Sequence, residues 1–323
     1  MKYIVTGCDG QLGSRVAENM LKLEGPSNLI FTCPDLSRLN PERKQRWESL
    51  GVTIRQANYD NKDEMVEAFR GGNRIYVVSA VLNGPERVVQ HKNVFDASVE
   101  NGIEHITYTS FFGANRPGYL QYVLPDHTAT EAYLREMAHR IGFKYNIMRN
   151  NLYMENYLTN SVMLANLSDY IWGSTACEGE FNPIAKDDSG ECAAMLLLGR
   201  GEDNREYDLT SDVSVSERTI CEMVAERSGM PYRYVPMNTE EFYAYLDNIG
   251  VTRKTQGYNG NSPVLWCSDD MVTNEAGIRD GQMAVDSGDV ELLLGRKPTH
   301  VEALLDRYSY MWEENITHWS QIC

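Results

Sequence analysis

The chain has little of what would place it in a membrane, on nucleic acid or in a disulfide framework. No stretch of it approaches the roughly 18 consecutive apolar residues that a bilayer-spanning helix needs, so no membrane partner is expected. Basic residues are scarce, 30 Lys and Arg against 46 Asp and Glu for a formal charge of −16. That balance lacks the footprint a phosphate backbone or an anionic lipid surface requires, so no nucleic acid partner is expected either. The seven cysteines, at 8, 33, 177, 192, 221, 267 and 323, are odd in number and contain no CxxC pair. Neither a disulfide scaffold nor a structural zinc site is indicated, and no Cys/His set has metal-ligand spacing. GxSxG, HExxH and Walker loops are missing, and no internal repeat is present. The sequence runs directly into a strand pattern without a charged-then-apolar leader, so the expected compartment is a reducing cytoplasm.

What the chain does have is concentrated at its beginning. The run Tyr3-Ile4-Val5-Thr6 meets Gly7-Cys8-Asp9-Gly10-Gln11-Leu12-Gly13, after which Leu12, Val16, Met20 and Leu23 recur at helical spacing as far as Gly25-Pro26. That order reads strand, tight turn, helix. Each glycine of this GxxGxxG has a task in a nucleotide-binding turn. Gly7 lets the chain leave the strand sharply, Gly10 omits a side chain where backbone meets a diphosphate, and Gly13 lets the helix pack closely. The anion would rest on unpaired N–H groups at the positive end of the helix dipole. Gly7, Asp9, Gly10, Gln11, Leu12 and Gly13 are the candidate cofactor contacts here, with an ordinary glycine-rich turn as the plainer alternative.

Strand patterns follow at 29–32, 51–56, 75–79, 105–110 and 145–148, separated by helical patterns through Met65 to Phe69, Glu86 to Asn101 and Asp126 to Ile141. Parallel neighbours need a crossover, so this alternation predicts an α/β fold, a Rossmann-type doubly wound parallel sheet with its ligand crevice at the carboxyl ends of the strands. Ser79, Ala80 and Ser110 would lie there, Ser79 and Ala80 beside the nicotinamide half of a cofactor. The stretch from Phe111 to Pro125 is long for a connection and carries Phe111 and Tyr119 as candidate substrate contacts, either as a lid or pocket wall or as a plain loop. Beyond Tyr157 the alternation fades. The organisation read from this is a dinucleotide-binding domain over 1–155 and a smaller, mostly helical substrate domain over 156–323. The second is interleaved with the main sheet near 181–210, where Phe181 to Ile184 and Arg205 to Thr210 read as returning strands. The aromatic tail, Tyr308, Tyr310, Trp312 and Trp319, could roof a pocket, form a homodimer face or pack onto its own core.

Several segments in order resemble one family. The opening TGCDGQLGS is similar to the TGATGxLG of the atypical short-chain dehydrogenase/reductases of the NmrA-like group, which includes the type-2 NAD(P)H:quinone oxidoreductases and the redox-sensing regulator NmrA. Asp126-His127-Thr128-Ala129-Thr130-Glu131 resembles its D/E-H-x-x-T-E, Arg149-Asn150-Asn151-Leu152-Tyr153-Met154-Glu155-Asn156-Tyr157 its L-R-N-G-x-Y-x-E-N-Y, and Gly295-Arg296-Lys297-Pro298-Thr299 its near-terminal G-R-x-P-S/T. The resemblance implies that Asn150 to Asn156 border nicotinamide and substrate, with Tyr153 and Asn156 as polar substrate contacts, Tyr153 also a catalytic candidate beside His127, and Arg149 structural. It also implies a ribose site around Thr32 and Asp35, where relatives carry R-N-P, and an adenine edge near Asp60. Thr32 stands at the Arg position, and loss of that cation beside Asp35 favours NADH over NADPH, although Arg38 could still reach a phosphate.

Ordinary short-chain dehydrogenases place Tyr-x-x-x-Lys where this chain has His127-x-x-x-Glu131. The tyrosine-lysine acid is therefore missing. Hydride transfer is not, because the nicotinamide supplies that chemistry. His127 could donate a proton near neutral pH or be purely structural, and Glu131 could orient it or lie on a solvated helix face. The expected activity is reduction of a planar, electron-poor acceptor by NADH, with NADPH as the alternative cofactor. A quinone is the first acceptor and a flavonoid-like phenolic the second, the latter suggested by the related isoflavone reductases. The competing expectation is a non-catalytic dinucleotide-binding redox sensor resembling NmrA.

Overall fold

The computed structural model describes residues 1–254 and 261–322; Cys323 of the cysteine set lies outside them. The first half alternates as the sequence predicts: β1 (Tyr3–Val5), α1 (Gln11–Leu23), β2 (Leu29–Cys33), α2 (Pro41–Leu50), β3 (Thr53–Gln56), α3 (Lys62–Phe69), β4 (Arg74–Val77), α4 (Pro85–Glu100), β5 (His105–Phe111), α5 (Leu124–Ile141) and β6 (Lys144–Asn150). A helical stretch then runs through α6 (Met154–Asn156), a π turn (Tyr157–Ser161) and α7 (Val162–Asn166). It leads to β7 (Ile171–Ser174), β8 (Glu180–Phe181), α8 (Lys186–Leu197), β9 (Arg205–Leu209), β10 (Val215–Ser216), α9 (Glu217–Ser228), β11 (Arg233–Pro236), α10 (Thr239–Asn248), α11 (Ser268–Arg279), α12 (Asp289–Leu294) and α13 (Tyr310–Glu313).

One parallel seven-stranded sheet, in the order β3-β2-β1-β4-β5-β6-β9, organises the molecule. The order reverses between β1 and β4, and the crevice beyond the strand ends at such a switch point is where ligands bind. Side chains alternate across the pleat and both faces are covered. Val5 and Phe31 pack with Val16, Met20 and Leu196 on one side, while Ile4, Ile30 and Ile75 pack with Met65, Phe95 and Leu134 on the other. No apolar stripe announces α2, because Trp47 is its one buried residue, held edge-on to Phe31 at 4.8 Å.

The returning pieces behave differently from one another. Arg205–Leu209 does join the sheet, parallel to β6. Phe181 does not; it pairs antiparallel with Val215 in a separate two-stranded ribbon. The remainder of the second half gathers around its own core, which includes Leu158, Trp172, Phe242 and Trp312. Tyr308 is buried in that core, and Tyr310 and Trp319 pack against it, so the aromatic tail packs onto this core. Among the described residues, no helix is long and apolar enough to cross a membrane.

Candidate functional site

The glycine turn has the conformation its residues imply. Gly7 sits at φ +62°, left-handed, where an added Cβ would meet Val78 at 2.5 Å. The close approach that demands Gly13 is to the turn itself, since a Cβ there would lie 2.1 Å from the Gly7 carbonyl oxygen. At Gly10 the same Cβ would be 3.4 Å from that oxygen, so the protein alone does not require glycine there. Gly10 is the N-cap of α1 and offers no side-chain hydrogen bond to the first turn. The helix therefore keeps its leading N–H groups for a ligand, and Gln11 and Leu12 lie in that turn, exposed and half-buried.

At the ribose end Thr32 is placed inward rather than toward the crevice. It is fully buried, its carbonyl accepts from Cys8 N–H at 3.0 Å, and its hydroxyl has no partner among the described residues. Asp35 is exposed and accepts from Ser37 N–H at 2.8 Å. Arg38 lies 3.8 Å from Asp9, whose carboxyl is nearly buried. Burial pushes the Asp9 pKa up and Asp35 adds to the rise, while Arg38 opposes it. Asp60 is exposed and accepts from Gln90 at 2.8 Å.

A cavity of about 310 Å³ opens beyond β4, β5 and β6. Ser79 and Ala80 follow β4, Ser110 and Phe111 end β5, and Asn150 ends β6; His127, Tyr153 and Asn156 complete this side. Asn150 uses Oδ1 to accept from Ser189 at 2.8 Å, while its buried Nδ2 has no partner among the described residues, a donor left for a ligand. His127 is buried and stacks on Phe111, with Nδ1 2.8 Å from the Tyr108 hydroxyl. Burial, then Arg87 and His91, hold its pKa well below the usual value, so the ring is neutral at physiological pH. Burial drives the Tyr153 phenol upward, which keeps its proton in place. Tyr119 is not brought to this cavity: its hydroxyl donates to the Gln282 carbonyl at 2.8 Å, and its ring packs on Phe112. The 111–123 connection is pinned to the second half, and of its residues Phe111 and Val123 line the cavity.

Glu131 does neither of the things expected of it. It is fully buried, yet it accepts from Ser110 at 2.7 Å and from both Arg149 Nε and Nη2 at 2.9 and 2.7 Å. One helical turn puts His127 and Glu131 on the same face, but His127 meets the cavity and Glu131 meets β5 and β6. Burial alone would raise the Glu131 pKa; the Arg149 hydrogen bonds and charge outweigh it and hold the carboxyl below its usual range.

Sequence reasoning also missed Lys186. Its buried ammonium donates to Gln11 at 2.7 Å and to Asn156 at 3.0 Å and lies 5.4 Å from the Tyr153 ring centre. Burial lowers its pKa to about 8, leaving a cation between the glycine turn and the cavity. Nothing local signals it, since Lys186 is 175 positions from Gln11. The far wall comes from the second half, with Leu265, Trp266, Asp270 and Glu275. No group of His, Cys, Asp and Glu among the described residues could hold a metal ion.

Quinone oxidoreductase 2 of Escherichia coli (strain K12) is 26% identical over 311 residues, covering 96% of this chain and 99% of its own. The NmrA-like family domain-containing oxidoreductase flvB of Aspergillus flavus is 25% identical over 302 residues, 92% of each. Among solved structures, the NADPH-dependent E. coli quinone oxidoreductase complexed with NADPH superposes with a TM-score of 0.80 at 25% identity, over 95% of this chain and 99% of that one. The triphenylmethane reductase of Citrobacter sp. shares the fold with a TM-score of 0.79 at 24% identity, over 96% and 100% of the chains. The sequence model of the NmrA-like family matches residues 2–256, and the chain belongs to that family.

Proposed function

We propose that the protein is an NAD(P)H-dependent reductase that passes hydride to a planar, electron-poor aromatic or enone-type acceptor, a quinone first and a flavonoid-like phenolic second. The observation that carries this is a cavity in which the ends of β4, β5 and β6 meet His127, Tyr153 and the aromatic side chains of Phe111 and Trp266. The residues present fit a nicotinamide dinucleotide. The uncapped first turn of α1 and the Lys186 ammonium suit a diphosphate, and the unpartnered Asn150 Nδ2 suits a group at the mouth of β6. When bound, the cofactor supplies the hydride, and reduction of a quinone to a hydroquinone takes that hydride and one proton. The chain's task is to hold the acceptor flat in an apolar slot, exclude water and offer hydrogen-bond donors to the oxygen on which charge develops.

NADH is the proposed preference. Asp9 and Asp35 both interact with the one Arg38 charge, so an incoming 2′-phosphate meets two carboxyls beside a single cation. The E. coli relative is described with NADPH, which makes the ratio of the two dissociation constants a direct test. NADH should bind more tightly, and Asp9→Asn with Asp35→Asn should move the ratio toward NADPH. Gly10→Val should abolish binding of either cofactor while leaving thermal unfolding nearly unchanged; intact binding would show the turn to be structural only.

Anaerobic loss of NADH absorbance against quinones, flavonoids and simple enones tests the reaction. Turnover with quinones is the expected result. Tight cofactor binding with no turnover on any acceptor would sink the reductase reading in favour of a sensor, the reading that the missing Tyr-x-x-x-Lys motivates.

A further inference from the structure

A chain of buried hydrogen bonds leads from the backbone beside the cavity to His127, and an arrangement of its protons gives every ring N–H and hydroxyl in it an acceptor. The Ala80 N–H donates to His91 Nε2 at 2.9 Å. Burial first, then Arg87, lowers the His91 pKa to about 3, so the ring is neutral and carries its proton on the other nitrogen, Nδ1. From there it faces Thr130 Oγ1 at 3.0 Å and the Tyr108 oxygen at 3.3 Å. Thr130 spends its own proton on the Asp126 carbonyl at 2.8 Å, so it accepts from His91. Tyr108 meets an N–H on the His91 side, so of its two ring-nitrogen neighbours the one able to accept its hydroxyl proton is His127 Nδ1 at 2.8 Å. A neutral ring that accepts at Nδ1 holds its proton on Nε2.

We infer that His127 presents a fixed, uncharged Nε2–H donor to the oxygen of the hydride acceptor, and that Tyr108 and His91, which do not line the cavity, are positioning residues that set this tautomer. The inference rests on the proposed reductase reading for the identity of the acceptor, and on the hydrogen-bond geometry alone for the tautomer. It also limits what His127 does. The chain ends at the Ala80 amide, which does not give up its proton, so no proton can be passed inward to refill the ring. His127 therefore stabilises developing negative charge on the acceptor oxygen, and the proton that completes the hydroquinone comes from solvent as the product leaves the slot. A donor of this kind favours acceptors whose oxygen gains charge, quinones and enones. A carbon-centred cationic acceptor, which loses charge on reduction, gains little from it.

The test is long-range proton–nitrogen correlation of the histidine rings in the full chain, with His127 assigned by comparison with His127→Gln. Wild-type protein should show His127 as a single Nε2–H tautomer. Tyr108→Phe, which removes the hydroxyl and keeps the ring, should release it to a mixture of tautomers. That variant should also lower kcat with a quinone by about tenfold, part of the roughly 10²-fold or more expected for loss of a preorganised donor, while cofactor affinity stays unchanged. A wild-type His127 protonated on Nδ1, or a Tyr108→Phe spectrum identical to wild type, overturns the inference. The wild-type spectrum decides the tautomer even if the variant fails to fold. Unchanged quinone turnover in His127→Gln would instead overturn the placement of the acceptor at His127, a failure separate from that of the tautomer.

Discussion

Behind the two walls of the cavity buried acid is held in opposite ways. On the sheet side Glu131 is matched by Arg149 through two hydrogen bonds, with Arg135 2.6 Å away. On the far side the buried Glu217 and Glu275 interact with each other, and no ion pair to either is found among the described residues. Glu275 accepts from Thr175 Oγ1 at 2.9 Å and from its N–H, Glu217 accepts from Trp172 Nε1 at 3.3 Å, and Glu217 Oε1 has no partner among the described residues. Burial lifts both pKa values, Glu217 to about 7, and the charge of Glu217 lifts Glu275 further. An acid with a guanidinium stays charged across the physiological range, whereas one with only neutral donors keeps its proton until near neutral pH. The sheet wall is therefore electrostatically fixed and the far wall is the part that responds to pH.

Removing the cation should give the sheet wall the character of the far one, and this is the largest effect expected. Arg149→Met leaves Glu131 buried with Arg135 as its remaining cation and should destabilise the fold by about 3 to 5 kcal/mol at neutral pH. The Glu131 carboxyl is depressed in the folded state, so its stabilisation is present above the unfolded value of 4.5 and is lost as pH falls through the lower folded value. The deficit of Arg149→Met, measured by urea denaturation, should therefore shrink in acid. A deficit independent of pH would mean that packing around the Arg149 stem, and not charge, is what was lost.

The same contrast explains what the sequence reveals. The glycine turn, the strand alternation and the His127 helix are legible because each depends on neighbours within a few positions, such as the left-handed Gly7 or the apolar run of β1. The walls of the cavity are not, because their partners lie far apart in the chain. Glu131 reads as solvated or as a partner of His127 until Arg149, 18 positions on, is seen to claim it. Tyr108 and His91 read as ordinary strand and helix residues, and their consequence for His127 exists only in three dimensions. Phe181 has the apolar character of a sheet strand, yet the parallel place beside β6 is taken by Arg205–Leu209 and Phe181 is left to its ribbon.

Neutralising the far wall should stabilise rather than destabilise. The folded pKa of Glu217, about 7, lies above its ordinary 4.5. Between those values the folded state binds a proton that the unfolded state does not, so stability falls as pH rises through that window. Glu217→Gln keeps an oxygen for Trp172 and removes the titration. Its thermal midpoint should match wild type near pH 4.5 and exceed it by a few degrees at pH 8. Equal midpoints at pH 8 would place the proton elsewhere in the pair, and Glu275→Gln would then have to show the gain.

The smallest effect belongs to Asp270, where the two kinds of wall meet. It lines the cavity from the second half, but Arg87, from the sheet half, acts on it. Burial raises its pKa to about 6, while Arg87 and the Asn274 amide oppose the rise. As pH rises through that value, a carboxylate appears in a slot that must close over an uncharged acceptor, and desolvating it weakens acceptor binding. The acceptor KM should therefore climb several-fold between pH 5 and 7.5 while kcat changes little. Asp270→Asn should hold KM at its low-pH value throughout. Should KM stay flat in the wild type instead, Arg87 is a full counter-ion to Asp270, and the far wall is charge-matched at that one point as the sheet wall is at Glu131.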